Sequence, residues 1–238
     1  MVIKDFYSPQ YPGQASGEEL VFRQGVGHLL NEIRQCVLKS ELLISNKATF
    51  KGKSKSGKPG TTGNMGLSDR MNKALGSSLI SLGWGPKKAP GTEQLGAKID
   101  WWKSISSAVP YGPKEIGLGL EIQFGNNFQF YADLHRLHEA VLDNLIVAGV
   151  CIVASDKLAK YKADRGAFFS QEKKKLDRYV KILTAARAPQ IPNYILIGIE
   201  HDGFCNDTSG KFSLKSAQFD HEKGVDTVIQ MNSFGTLL

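Results

Sequence analysis

Ile116-Gly117-Leu118-Gly119-Leu120-Glu121-Ile122-Gln123-Phe124 is the stretch that decides the fold of this 238-residue chain. It is apolar almost throughout and holds no proline, and a loop-like run over residues 106 to 115, with Pro110, Gly112 and Pro113, precedes it. Such a run reads as a strand whose residues alternate only near its end, as expected of one covered on both faces. Glu121 and Gln123 are two apart and project to one face. Ile122 projects to the other and leaves its carbonyl near them.

Working outward, Asn127 to Ala148 carries Phe130, Leu134, Leu137, Val141, Leu142 and Leu145 at helical spacing. Gly149 to Ala154 then reads as a short apolar strand, Gln171 to Ala186 as a charged amphipathic helix, and Tyr194 to Ile199 as another strand. That alternation predicts an α/β sheet with right-handed crossovers between parallel strands. On the amino-terminal side, Gly96 to Trp102 gives a short strand. Residues 67 to 82 give a helix ending near Gly83, and residues 18 to 43 one bent helix interrupted by Gly25 and Gly27 and capped by Ser16. No internal repeat or linker divides the chain, so residues 1–238 read as one domain.

The chain is basic, with 30 Lys and Arg against 23 Asp and Glu, a net charge of +7. Nine of those basic residues fall between Lys47 and Lys88 against Asp69 alone, leaving 21 basic against 22 acidic residues elsewhere. The positive excess is therefore local. Its first part, to Gly63, is rich in Gly, Ser and Thr and reads as a long loop carrying Lys47, Lys51, Lys53, Lys55 and Lys58. Two readings stand: a solubilising loop, or lysines that neutralise phosphates and release counterions. No GxxxxGK[ST] match occurs there, which excludes a P-loop. Cys36, Cys151 and Cys205 are odd in number and lack CxxC spacing, which suits buried thiols in a reducing cytoplasm. The expected setting is cytoplasmic, without signal peptide or membrane span.

The residues that carry chemistry are Asp100, in Lys98-Ile99-Asp100-Trp101, with Glu121 and Gln123. If the strand ending at Asp100 neighbours the Glu121 strand, the 20 residues between them return Asp100 to a place beside Glu121. Two such carboxylates need a cation, and hard oxygen donors suit Mg²⁺. That ion can bind a phosphate oxygen, acidify a water and stabilise charge developing at phosphorus, as phosphodiester hydrolysis requires. The plainer alternative makes Glu121 and Gln123 polar residues on the wet face of an edge strand. Against it stand the interior character of the strand and the basic segment, which calls for a polyanionic partner.

The order Ile99-Asp100-Trp101, then Leu120-Glu121-Ile122-Gln123-Phe124, then Gly125-Asn126-Asn127-Phe128 and a helix, resembles the core of type II restriction endonucleases of the BglII and BstYI kind. These belong to the PD-(D/E)xK nuclease superfamily and carry Glu-x-Gln in place of Glu-x-Lys. The likeness spans about residues 97 to 200. It implies a restriction-endonuclease-like core with a mixed central sheet flanked by helices, the segment 16–90 adding the amino-terminal helix and the basic loop. It also implies that Asp100 and Glu121 ligate Mg²⁺, that the Ile122 carbonyl completes the protein ligands, and that Gln123 stands where lysine is usual. Glutamine is neither a cation nor a base, so its implied role is to orient the attacking water. Asn126 occupies a place that relatives use at the DNA, with Asn127 beside it, and Glu32 is the candidate for a further glutamate from the amino-terminal helix. The Asp100 to Glu121 separation is longer than in the relatives, and Glu115, in a Pro- and Gly-containing loop, is the other acid close before Glu121.

Other residues carry less. His135 and His138, three apart on a helix, lack further metal ligands and read as structural or interfacial. His201-Asp202 has no nucleophile beside it. Lys157, Lys160, Lys162 and Arg165 form either a DNA-facing loop or a solvated turn offset by Asp156 and Asp164. Trp84, Trp101 and Trp102 read as packing residues, with a place near a phosphate or stacked on a base as the alternative for Trp102.

The implied activity is Mg²⁺-dependent cleavage of double-stranded DNA at a short palindrome, by a homodimer whose two-fold axis matches that of its site, leaving 5′-phosphate ends. The helix from Asn127 to Ala148 is the implied dimer surface. A cognate DNA methyltransferase belongs to such a system, without stable association. The rival readings are another nuclease of the superfamily, acting in repair or on modified DNA, and a basic DNA-binding module without catalysis.

Overall fold

A computed structural model describes residues 1–10, 15–45, 67–86, 99–107, 114–124, 129–159, 168–188 and 191–205. In chain order its elements are β1 (Val2–Tyr7), α1 (Gly17–Arg23), α2 (Gly27–Lys39), β2 (Leu43–Ser45), α3 (Leu67–Ser81), β3 (Gly85–Pro86), β4 (Trp101–Ser106) and β5 (Glu115–Gln123). They continue with α4 (Phe130–Leu142), β6 (Ala148–Ala154), α5 (Asp156–Ala159), α6 (Phe169–Ala185), β7 (Asn193–Glu200) and β8 (Gly203–Cys205). Six strands form a mixed sheet in the order β1-β7-β6-β5-β4-β3, and β2 pairs with β8 in a second, parallel ladder. β5, β6 and β7 run parallel, while β1, β4 and β3 pair antiparallel with their neighbours. This is the α/β architecture, mixed sheet and flanking helices expected from the sequence.

Strand parity divides the core in two. Leu118, Leu120 and Ile122 of β5, with Val150, Ile152, Ile195 and Ile197, pack with residues of α1, α2 and α3. Cys151, Val153, Tyr194 and Leu196 look the other way and meet Leu134, Leu137 and Val141 of α4 and Leu176 and Val180 of α6. The crossover helix α4 rests directly on the sheet because two glycines admit it. A Cβ on Gly119 would lie 2.8 Å from Leu137 Cδ2, and one on Gly149 would lie 2.8 Å from Leu137 Cδ1. Tyr194 Oη adds a 2.9 Å hydrogen bond to the Leu134 carbonyl.

Several boundaries differ from the sequence reading. The helix expected over 18 to 43 is two helices, because Gly25 takes φ +76° and turns the chain between them, and its last residues enter β2. Ser16 caps the first of the two, accepting from the Glu19 N–H at 3.2 Å. The helix expected to reach Ala148 stops at Leu142, where Asn144 adopts φ +58° and releases the chain toward β6. Of the strand expected over 96 to 102, residues 96–98 lie outside the described residues, while Trp101 and Trp102 open a strand that runs on to Ser106 and finds its ladder partner in β5. β1, β2, β3, β8 and the short α5 have no counterpart in the sequence reading. Among the described residues no helix is long and apolar enough to cross a membrane.

Candidate active site

The pairing of β4 with β5 assembles the site. Trp101 lies opposite Leu120 in an antiparallel ladder, so the chain just before β4 runs beside Glu121 and Ile122. Asp100 sits at that bend, and its Oδ2 accepts the Ile122 N–H at 3.1 Å. The sequence expectation that Asp100 returns to Glu121 therefore holds in the structure, although Asp100 precedes its strand instead of ending one. Glu121 is 1% exposed and Gln123 7%, both on the α4 side of an interior strand, which removes the wet-edge alternative.

Glu121 meets a cation from the crossover helix. Arg136 Nε donates to Glu121 Oε1 at 3.1 Å, and Arg136 Nη2 donates to Asp133 Oδ1 one turn earlier on α4. Burial is the largest influence on Glu121 and Asp100 the next, and together they push its carboxyl up to about 9 although Arg136 opposes them. Asp133, also buried, is pushed to about 6 by desolvation, with Arg136 opposing. Burial raises the Cys151 thiol, opposite Glu121 in the β6 register, well above its usual value, and the carboxylates Asp133, Glu121, Glu172 and Asp100 add to the shift.

This donor set fits a hard divalent cation. Among the described residues each carboxylate has one oxygen held by a protein donor, Oδ2 of Asp100 and Oε1 of Glu121, which leaves Oδ1 and Oε2 to a ligand. Among the described residues no group of three or more His, Cys, Asp or Glu side chains converges on one point, so a metal ion held by Asp100 and Glu121 would need further oxygen donors to complete its shell. The Ile122 side chain belongs to the opposite core, in keeping with strand alternation.

Glu32 is not part of this site: its oxygens accept from Lys103 Nζ at 2.8 and 2.7 Å and from Trp84 Nε1 at 2.9 Å. Lys103 lies opposite Leu118 and so projects from the far face of the sheet, away from Glu121. Lys157 Nζ lies 2.7 Å from Glu200 Oε1, a buried carboxylate that matches its charge. His135 is exposed near Glu139 and Tyr179, and His138 is buried with its ring edge-on to the same Tyr179; among the described residues they are not part of a group of three or more potential metal ligands. Asp202 Oδ2 accepts the Leu42 N–H at 2.6 Å and ties β2 to the end of β7. His201, whose charged form burial disfavours, bonds to Gly203 O at 3.1 Å, and both residues are structural here. Lys47, Lys51, Lys53, Lys55, Lys58, Asn126, Asn127, Lys160, Lys162 and Arg165 lie outside the described residues.

The sequence reading missed Asp133 and Arg136. A signal existed, since they are an oppositely charged pair three apart on a helix that leaves directly from the Glu-x-Gln strand. A helix crossing back from that strand places its first two turns over the strand's carboxyl-terminal half.

Comparison with known proteins identifies the family and the fold. The family described as restriction endonuclease BglII/BglIII matches the chain over residues 18–199. Among solved structures, the fold is similar to that of restriction endonuclease BglII complexed with a DNA 16-mer, with a TM-score of 0.55, 13% identity and 88% of each chain covered. A search of curated proteins gives no match.

Proposed function

The chain belongs to the BglII/BglIII family of restriction endonucleases and cleaves DNA, and on that premise we propose that it is a Mg²⁺-dependent type II enzyme acting on a short palindrome in double-stranded DNA. The observation that carries the metal reading is the Asp100 carboxylate anchored to the Ile122 N–H beside buried Glu121. In this reading Asp100, Glu121 and the Ile122 carbonyl hold the ion. Bound there, Mg²⁺ supplies Lewis-acid stabilisation of charge on the phosphate and a more acidic water. Gln123, on the same face as Glu121, orients the attacking water through its amide, having no charge or basicity to contribute. Attack in line with the leaving 3′ oxygen gives 5′-phosphate ends.

The lysines from Lys47 to Lys58 contribute salt-dependent affinity by neutralising phosphates, and Asn126, Asn127 and Lys157 serve as further DNA-contacting residues in this reading. Residues 1–238 form one endonuclease domain with its nuclease core at about 97–200. A homodimer places one such centre on each strand of a two-fold symmetric site. The enzyme works in the cytoplasm beside a separate methyltransferase that protects the host's own sites.

The test is incubation with unmethylated phage DNA in Mg²⁺ or in EDTA. Discrete Mg²⁺-dependent bands support the proposal, and end sequencing then gives the site. A smear points to a superfamily nuclease without a fixed palindrome. Uncut, retarded DNA overturns the assignment of Asp100 and Glu121.

A further inference from the structure

A nuclease centre with Gln123 in the position of the usual lysine lacks a fixed positive charge on that strand, and the structure brings one from elsewhere. Arg136 reaches from the second turn of α4 to Glu121 Oε1, and its other arm is clamped by Asp133. The guanidinium is largely enclosed, its side chain 21% exposed, and the two carboxylates it bridges are 1% and 4% exposed. A half-buried guanidinium spanning two buried carboxylates has a fixed direction, because its planar fork allows little rotation once both arms are engaged. We propose that Arg136 is a positioning residue of the active centre: it holds Glu121 by one oxygen so that the other is presented to the metal, and it supplies the permanent cation that Gln123 cannot. The proposal rests on the metal reading of Asp100 and Glu121 given above.

Charge supports this role. With a divalent ion bound and all three carboxyls ionised, Asp100, Glu121 and Asp133 would carry three negative charges, which Arg136 and the ion together would neutralise. Without Arg136, Glu121 and Asp133 would face each other with no cation between them and Glu121 would lose its only side-chain anchor among the described residues. Geometry supports it as well, since Leu137, the next residue on α4, is seated against Gly119 and Gly149, and this fixes the helix turn from which Arg136 extends.

The test compares the wild type with Arg136→Met, Arg136→Lys and Asp133→Asn. Mn²⁺ and Mg²⁺ binding is measured calorimetrically on the DNA-free protein, and cleavage of the phage DNA is measured in parallel. Arg136→Met is expected to weaken metal binding about 10–100-fold, as removal of a partner holding a metal-ligating carboxylate does, and to lower kcat by a similar factor while KM for DNA stays within about threefold. Arg136→Lys keeps the charge without the fork and recovers part of both losses. Asp133→Asn loosens the clamp and gives a smaller loss in the same direction, which keeps the proposal open to refutation if the methionine variant does not fold. Metal affinity and kcat within about threefold of wild type in a folded Arg136→Met protein overturn the proposal, and so does tighter metal binding, which would make Arg136 a competitor of the ion. Glu121→Gln serves as the metal-site control. Wild type that binds no metal better than this control overturns the metal reading itself, whereas wild-type binding that Arg136 variants do not alter overturns the role of Arg136 alone.

Discussion

Replacing Glu121 by Gln is expected to stabilise the metal-free protein, by an amount set by pH. Burial, then the charge of Asp100, raises the Glu121 carboxyl from 4.5 to about 9 in the folded chain. The folded state therefore holds its proton more tightly than the unfolded state, and between those two values unfolding releases a proton. The stabilisation is complete below 4.5 and is lost as pH rises toward about 9. At about pH 7.5 the unfolded carboxyl gains roughly three units of ionisation free energy that the buried one forgoes, about 4 kcal/mol at 1.36 kcal/mol per unit. Glutamine has no charged form to gain on unfolding, and its amide oxygen still accepts from Arg136. In EDTA, Glu121→Gln should thus exceed wild type by about 4 kcal/mol at about pH 7.5, a rise in Tm on the order of 10 °C. The advantage should shrink by about 1.4 kcal/mol per pH unit on acidification and be nearly gone by about pH 4.5. Thermal and urea denaturation across that range measure it, and added Mg²⁺ should raise the Tm of wild type but not of the variant. A stability difference that does not change with pH, or a variant less stable than wild type near neutrality, would show that Glu121 is ionised in the metal-free fold.

Gly149→Ala should cost about 1–3 kcal/mol because the new methyl meets Leu137 at its Cβ and pushes α4 from the sheet, and should lower kcat with it because Arg136 moves on the same helix; denaturant midpoints and cleavage rates test this. Glu32→Gln should lower stability by about 1–3 kcal/mol because Lys103 is left without its carboxylate, with kcat unchanged, and a large fall in kcat would return Glu32 to the active centre. Changing Lys47, Lys51, Lys53, Lys55 and Lys58 together to Gln should weaken DNA binding and reduce the slope of log K against log salt by about 0.9 for each phosphate no longer neutralised; an unchanged slope would assign the lysines to solubility alone.

Much of the carboxyl-terminal half was legible because its elements are long and strongly patterned. The β5 run, the apolar β6 and β7 segments and the periodic faces of α4 and α6 each carry one period, and their alternation leaves few topologies. The nearness of Asp100 to Glu121 and the shared face of Glu121 and Gln123 were legible from spacing and strand alternation, and the burial of Glu121 followed from the interior character of its strand. The short edge strands were not legible. Val2–Tyr7 carries Lys4 and Asp5 and is a strand only because β7 offers a ladder, while β2, β3 and β8 are two or three residues each and exist through pairing alone. Arg136 was missed for a related reason: a charged residue on a helix reads as solvent-facing until the sheet beneath it is known to hold a carboxylate. Glu32 misled because helical periodicity gives the face of α2 but not which face of the sheet receives it.

The β4–β5 ladder also bears on how this enzyme can vary over evolutionary time. Six paired positions, from Trp101 with Leu120 to Ser106 with Glu115, set where Asp100 stands, so the connection beyond Ser106 is free of that duty. Insertions or deletions in this connection alter the count of residues from aspartate to glutamate while both carboxylates keep their places, whereas a slip of one residue within the ladder would turn Asp100 toward the opposite face. The interval between Asp100 and Glu121 is thus decoupled from the relative placement of the two carboxylates, which the ladder sets. A search for kindred nucleases gains reach by letting that interval float while holding fixed the strand pair that frames it.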